Sequence, residues 1–442
     1  MSAVNNMTVK DDKDDKEYEP YDHRVVEKPC SNVRATANLI KASLGSGLLA
    51  GPLAFSNSGW GVGLLGTIAV GFICGHCIHI LVKTSYGCCK IERKPQLGYA
   101  ETCKTVFQNG PKCLRRFANT ASVFAEIALI CTYVGVCCIY TVLISDSVKQ
   151  LMDTYVPGVE ISVEQYCLII LVPLCLMCQI KYLKWLAIFS LLANLFLMLT
   201  YLLCLYYAFQ GDITIADKKI AGSLARFPAF ISTVIFAMEG IGVVMPVENA
   251  MKTPRNFLGF PSVLVVAMSV IVFSYSTLGL LGYLRYGDVL RGSITLNLPM
   301  DEWPAICAKV FIALSIFFTY PLQFYVVFDI FQRYTDTHGK EKYRTALQTG
   351  ARVLGVCFCV AIGMALPLLE QIINIVGACF YSILGLVIPS VIETVFRWEN
   401  LGRFKWILWK NIFIVLFGLF AVFAGCTVTI LDIIKILNNR QP

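Results

Sequence analysis

Eleven long apolar stretches decide what this chain can fold into: about 35–56, 61–85, 116–147, 164–180, 184–209, 226–249, 259–284, 304–332, 346–366, 368–396 and 406–434. Blocks of about 20 apolar residues cross roughly 30 Å of hydrocarbon as helix. In lipid each backbone N–H and C=O has to be bonded within the segment, which leaves helices as the form these blocks take. The chain is 57% hydrophobic and 15% charged, whereas a soluble domain carries roughly a quarter charged residues. The expectation is an all-α integral membrane protein of about 11 transmembrane helices.

A net charge of +8 could suggest nucleic acid, but its distribution says otherwise. With the N-terminus inside, Lys and Arg collect in "CCKIERKPQLGYAETCKTVFQNGPKCLRR", "IKYLKW", "MKTPRN", "QRYTDTHGKEKYR" and "RWENLGRFKWILWK", and the opposite loops carry fewer. That asymmetry sets orientation in a membrane, with no nucleic-acid partner implied. The leader, residues 1–33, mixes both charge signs with few large apolar residues and reads as a disordered cytosolic tail. No cleavable secretory signal is expected, because the first apolar block begins only near Arg34. The 19 cysteines are scattered through the blocks, where Cys behaves as a small apolar residue. "CGHCIHI", from Cys74, has metal-like spacing but sits within one apolar block, so no metal site is expected.

Two blocks carry their own breakers. The first contains "KASLGSGLLAGPLAF", Lys41 to Phe55, and the sixth contains "MEGIGVVMP", Met238 to Pro246. Each interior Gly costs roughly 1 kcal/mol of helix propensity, and an unpaired backbone group in hydrocarbon costs several more. Such breaks are tolerated where the freed groups line a cavity and bind something polar. Half-helix N-termini suit a carboxylate, and freed carbonyls suit an ammonium or a cation; a zwitterion offers both. Five blocks separate the two breaks, so the halves have opposite orientation. The reading is a 5+5 inverted repeat, one half over about 34–210 and the other over about 225–397, with an extra helix at about 405–434.

At these residues a family becomes recognisable. "NLIKASLGSGLLAGPLAFSNSGW", "VIFAMEGIGVVMPVENAMKTPRNF", "LGYLRYGDVLRGSITLNLP" and "TYPLQFYV" resemble the proton-coupled amino acid transporters of solute carrier family 36, in the amino acid/auxin permease group. The resemblance implies a LeuT-like architecture of eleven helices with helices 1 and 6 broken. It also implies symport of small neutral amino acids (glycine, alanine, proline) with a proton, on a plasma or endolysosomal membrane. By position, Ser43, Gly45, Ser46 and Gly47 would meet the substrate carboxylate. Glu239, Gly240 and Gly242 would face the amino group, with Thr319 and Tyr320 nearby. Where several family members have a titratable histidine in the first helix, this chain has Asn38.

Ionisable groups inside spans are functional candidates by default. Glu239 lies within the broken helix and is the first candidate for carrying the coupled proton; His76 is the second. Lys309 is expected to snorkel outward and Glu393 to pair with Arg397. No cofactor is implied beyond the proton gradient. There is no nucleotide loop and no nucleophile–base constellation, so an enzyme is not expected, and a seven-helix receptor fails on block count. A pH-independent facilitator and a lysosomal amino acid sensor with unknown signalling partners stay open.

Overall fold

The computed structural model describes residues 18–26, 29–156, 158, 161–180, 183–210, 215, 217–238, 240–338 and 341–438. They form sixteen α-helices. In order these are α1 (Asn32–Ser43), α2 (Ser46–Leu49), α3 (Gly51–Ser58), α4 (Trp60–Glu92), α5 (Tyr99–Asn109), α6 (Ala118–Tyr155), α7 (Val163–Cys178) and α8 (Leu183–Gln210). The rest are α9 (Phe227–Met238), α10 (Ile241–Asn249), α11 (Val263–Tyr286), α12 (Trp303–His338), α13 (Glu341–Ala365), α14 (Leu369–Ile375), α15 (Ile388–Phe396) and α16 (Trp406–Asn438).

Among the described residues nine helical stretches are long and apolar enough to cross a membrane, and Val163–Cys178 is a shorter apolar helix. The first apolar block is divided among α1, α2 and α3, as its glycines require. Between α14 and α15 the chain continues as wide π turns over Val376–Tyr381 and Ile383–Val387. Polar caps mark several helix starts: the hydroxyls of Ser31, Ser162 and Ser262 accept from the backbone N–H three residues on, at 3.4, 3.4 and 3.2 Å.

The outer helices turn apolar faces outward. Leu191, Leu195, Met198, Leu202 and Phe209 are exposed on α8, and Phe413, Leu416, Phe420 and Phe423 on α16, each at helical spacing. On a soluble protein such stripes would be association sites; on a chain of these spans they face lipid. The integral multi-pass membrane class follows. Within, α6 packs on α12, α9 on α3 and the first π turn, and α11 on α1 and α3.

Two expectations need correction. The leader read as disordered up to residue 33 is folded where it is described, with a 3-10 turn at Pro20–His23 and α1 already under way at Asn32; residues 1–17 lie outside the described set. Lys309 does not snorkel. It is 1% exposed, and its ammonium donates to Gln150 Oε1 at 2.9 Å and Leu298 O at 3.1 Å. A carbonyl and an amide close to the helix gave it a nearer set of acceptors than the membrane surface.

Candidate functional site

The two breaks face each other. At the first, α1 ends as the Leu44 N–H donates to Ile40 O at 2.8 Å. Gly45 then turns to φ −60°, ψ −142°, and α2 begins. At the second, α9 ends at Met238 and α10 starts at Ile241, with Gly240 between them. Glu239, the substrate and proton candidate, lies outside the described residues.

How close the breaks approach is measured by their glycines. A Cβ on Gly47 would lie 2.7 Å from the Ala237 Cα, and one on Gly240 would lie 2.6 Å from Ser43 Oγ. Backbone packs on backbone in the first case, so no side-chain movement relieves it. The structure thus brings together Ser43, Gly45, Ser46, Gly47 and Gly240 from the two blocks. Ser43 and Ser46 are both buried, and the Ser46 hydroxyl has no hydrogen-bond partner among the described residues. A buried polar group left unpaired costs about 1–3 kcal/mol, which makes Ser46 conspicuous at this position.

Helix α6 supplies the third wall. The Tyr140 hydroxyl stands 3.2 Å from where a Cβ on Gly45 would be, and it accepts from Gln323 Nε2 at 3.4 Å. Tyr133, two turns earlier, lies with its hydroxyl against Gly242. Neither tyrosine nor Gln323 was singled out from the sequence, because the middle of α6, "ICTYVGVCCIYTVLI", is apolar and nothing in its pattern marks which tyrosine points inward. Gln323 could have been suspected from "TYPLQFYV" alone, one turn beyond Thr319.

Thr319 returns its hydroxyl to Ser315 O at 2.8 Å. It joins the site only through its helix face, one turn from Gln323. Tyr320 is fully buried, and its hydroxyl is unpaired among the described residues. It lies close to the thiols of Cys137 and Cys359 rather than at the breaks. His76 lies elsewhere again, on α4, its ring stacked with Phe72 and His79 at 6.5 and 6.4 Å and its nearest charges on Lys410 and Glu393. Glu393 does contact Arg397, at 3.8 Å, but bonds more closely to Lys410 at 2.7 Å and Asn411 at 3.1 Å. Lys41, beside the first break, donates to Ser190 O at 3.2 Å.

Below the breaks, the leader closes one end. Arg24 Nη1 and Nη2 donate to the two carboxylate oxygens of Glu248 at 3.0 and 3.1 Å, and Nε donates to Pro95 O at 2.7 Å. Arg24 also lies 4.8 Å from the centre of the Tyr21 ring. The two charged side chains are 6% and 3% exposed. Burial first, and the Glu248 charge second, push the Tyr21 pKa up, so the phenol stays protonated and serves the carboxylate as donor. Cys30 pairs with the chain after α10: its N–H donates to Ala250 O, and Lys252 N–H donates to Cys30 O, both at 2.8 Å. Sequence reasoning had no signal for this, since Arg24 and Glu248 are far apart along the chain.

The family described as transmembrane amino acid transporter protein matches residues 28–431. The chain is 39% identical over 427 residues to the proton-coupled amino acid transporter-like protein pathetic of Drosophila melanogaster, covering 96% of this chain and 90% of that protein. It is 29% identical over 315 residues to vacuolar amino acid transporter 3 of Saccharomyces cerevisiae, covering 69% of this chain and 42% of that longer protein. A broken, multi-pass helical core and a family match over nearly its whole length place the chain in the transmembrane amino acid transporter family, whose members here are transporters and not enzymes.

Proposed function

We propose that the chain is a secondary active transporter that moves small neutral amino acids, of the glycine, alanine and proline class, together with protons. Movement is by alternating access about the two facing breaks. The observation that carries this is the buried Ser46 hydroxyl where the breaks meet, which has no partner among the described residues. Freed amides around Gly45, Ser46 and Gly47 suit the substrate carboxylate, with Ser43 beside them. The end of α9, with Glu239, Gly240 and Gly242, suits the ammonium. Tyr140 and Gln323 bound the space left for the side chain, which favours small substrates. Thr319 supports that wall from the same helix, one turn from Gln323.

The names of both relatives support the reading in part: one is called proton-coupled amino acid transporter-like, the other vacuolar. For this chain we infer a cytosolic N-terminus and a plasma or endolysosomal membrane, with the proton gradient as the driving force. Glu239 is the first candidate for the coupled proton, because Asn38 does not titrate, and His76 is the second. The test is accumulation of labelled alanine and proline by cells carrying the chain at their surface, at acidic and at neutral external pH. Uptake that rises with acidity and is lost in Gly45→Trp supports the proposal. Uptake indifferent to pH would mean a facilitator, and alanine binding without uptake would mean a sensor.

A further inference from the structure

At the end of the molecule away from the leader lies a cavity of about 370 Å³ between α6, the start of α14 and the connection from α11 to α12. Its position follows from chain direction. Helix α5, which follows the leader-side end of α4, packs on α6, and the 38 residues of α6 then rise about 57 Å at 1.5 Å each. Among the charged side chains lining the cavity, Lys149 is satisfied by Asp153 at 2.9 Å and by Ile161 O at 2.9 Å.

Three others are not satisfied. Asp146 on α6, Glu370 on α14 and the Arg291 guanidinium from the connection all line the cavity, and none has a hydrogen bond or ion pair to its side chain among the described residues. Asp146 feels Arg291 and Lys149 as its near positive charges and Glu164 as a negative one. The cations and anions around Glu370, Arg226 and Asp432, are already bonded to each other. Beside Glu370, the Gln371 side chain also lines the cavity; it is 8% exposed and has no partner among the described residues. Buried amides are normally bonded. Here the buried Gln371 amide has no such partner among the described residues, and it shares the cavity with the half-buried Asp146 and Glu370 and the exposed Arg291, charges of both signs.

We propose that this cavity is an outer binding site for a zwitterionic α-amino acid, occupied before the substrate reaches the breaks. The Arg291 fork takes the carboxylate in bidentate fashion. Asp146 or Glu370 takes the ammonium, and Gln371 takes a remaining donor or acceptor. Leu296 and Leu369 give a small side chain an apolar wall, and the volume lies within the range of small-ligand pockets. The site rests on the transport reading above.

The test is equilibrium binding of labelled alanine to the purified full-length chain, with Arg291→Gln and Glu370→Gln as variants. Two variants on separate elements are used so that a folding defect in one, seen as a lowered melting temperature, leaves the other to decide. The expected result is two alanine molecules per chain in the unmodified protein and one in each folded variant. Propionate and ethylamine, each carrying one of the two charges, should displace the outer alanine at least 10-fold less well than glycine does. Unchanged stoichiometry in a folded variant overturns the outer site and leaves the transport reading standing, as would a flattened pH profile of uptake with full binding, which points to a proton relay. No alanine binding by the unmodified chain overturns the transport reading itself.

Discussion

The two ends of this molecule are built on opposite principles. At the leader end the charges are matched: Arg24 and Glu248 exchange two hydrogen bonds out of solvent, and the Tyr86 hydroxyl donates to the Glu19 carboxylate at 2.8 Å. At the other end Asp146, Arg291 and Glu370 surround a cavity without bonding one another. A closed end needs internal partners, because a buried charge alone is costly. An end that admits a charged ligand keeps its partners unspent. The facing breaks lie between these two ends.

The largest expected effect comes from breaking the closed end. Removing one member of a buried pair costs about 3–5 kcal/mol, so Arg24→Ala should shift opening at the leader end by on the order of 100-fold or more. Cys89 is buried within reach of both Arg24 and Glu248. Its reaction with an impermeant maleimide, followed by site-resolved mass spectrometry, should accelerate accordingly. An unchanged rate would mean the pair holds nothing shut.

Next in size is the contact between the breaks. Gly47→Ala places a methyl against the Ala237 backbone; overpacking of this kind costs about 1–3 kcal/mol, and the melting temperature should fall. Tyr140→Phe removes one weak bond from Gln323 and the hydroxyl facing Gly45. With about 0.5–1.5 kcal/mol for such a bond, the KM for alanine should rise roughly 2- to 10-fold while the melting temperature barely moves. Smallest of all is Asp22→Ala. The Asp22–Arg255 pair, 3.1 Å long, is exposed at both partners, and exposed pairs contribute about 0–1 kcal/mol. Cys89 labelling in that variant should stay near the unmodified rate, which separates the buried latch from its surface neighbour.

What the sequence revealed and what it hid divide along physical lines. The helices and the two breaks were legible because hydropathy and Gly/Pro placement act locally: the glycine break at Gly45 and the one at Gly240 stand where "GSG" and "EGIG" put them. Gly47 and Gly240 were read as site residues, and their close approach to Ala237 and Ser43 is a tertiary fact that follows once the two blocks are packed. The latch was not legible, since Arg24 finds Glu248 from 224 residues away and a mixed-charge leader reads as solvated. Lys309 misled for the same reason; its acceptor Gln150 is 159 residues distant. Tyr140 was hidden in the apolar middle of α6, where no charge marks the inward face. Asp146 fell at the edge of its block, where an interfacial reading needs no partner.

The most direct test of the account uses Ser46, the buried hydroxyl where the breaks meet. In the variant Ser46→Cys, the new thiol is nearly the same size and shape. Its labelling rate is followed in vesicles, with and without saturating alanine, and with Arg24→Ala added. The account predicts that alanine protects the thiol at least 10-fold and that Arg24→Ala exposes it from the leader side. A rate indifferent to alanine, in protein that still transports it, would contradict the claim that substrate binds between the two breaks.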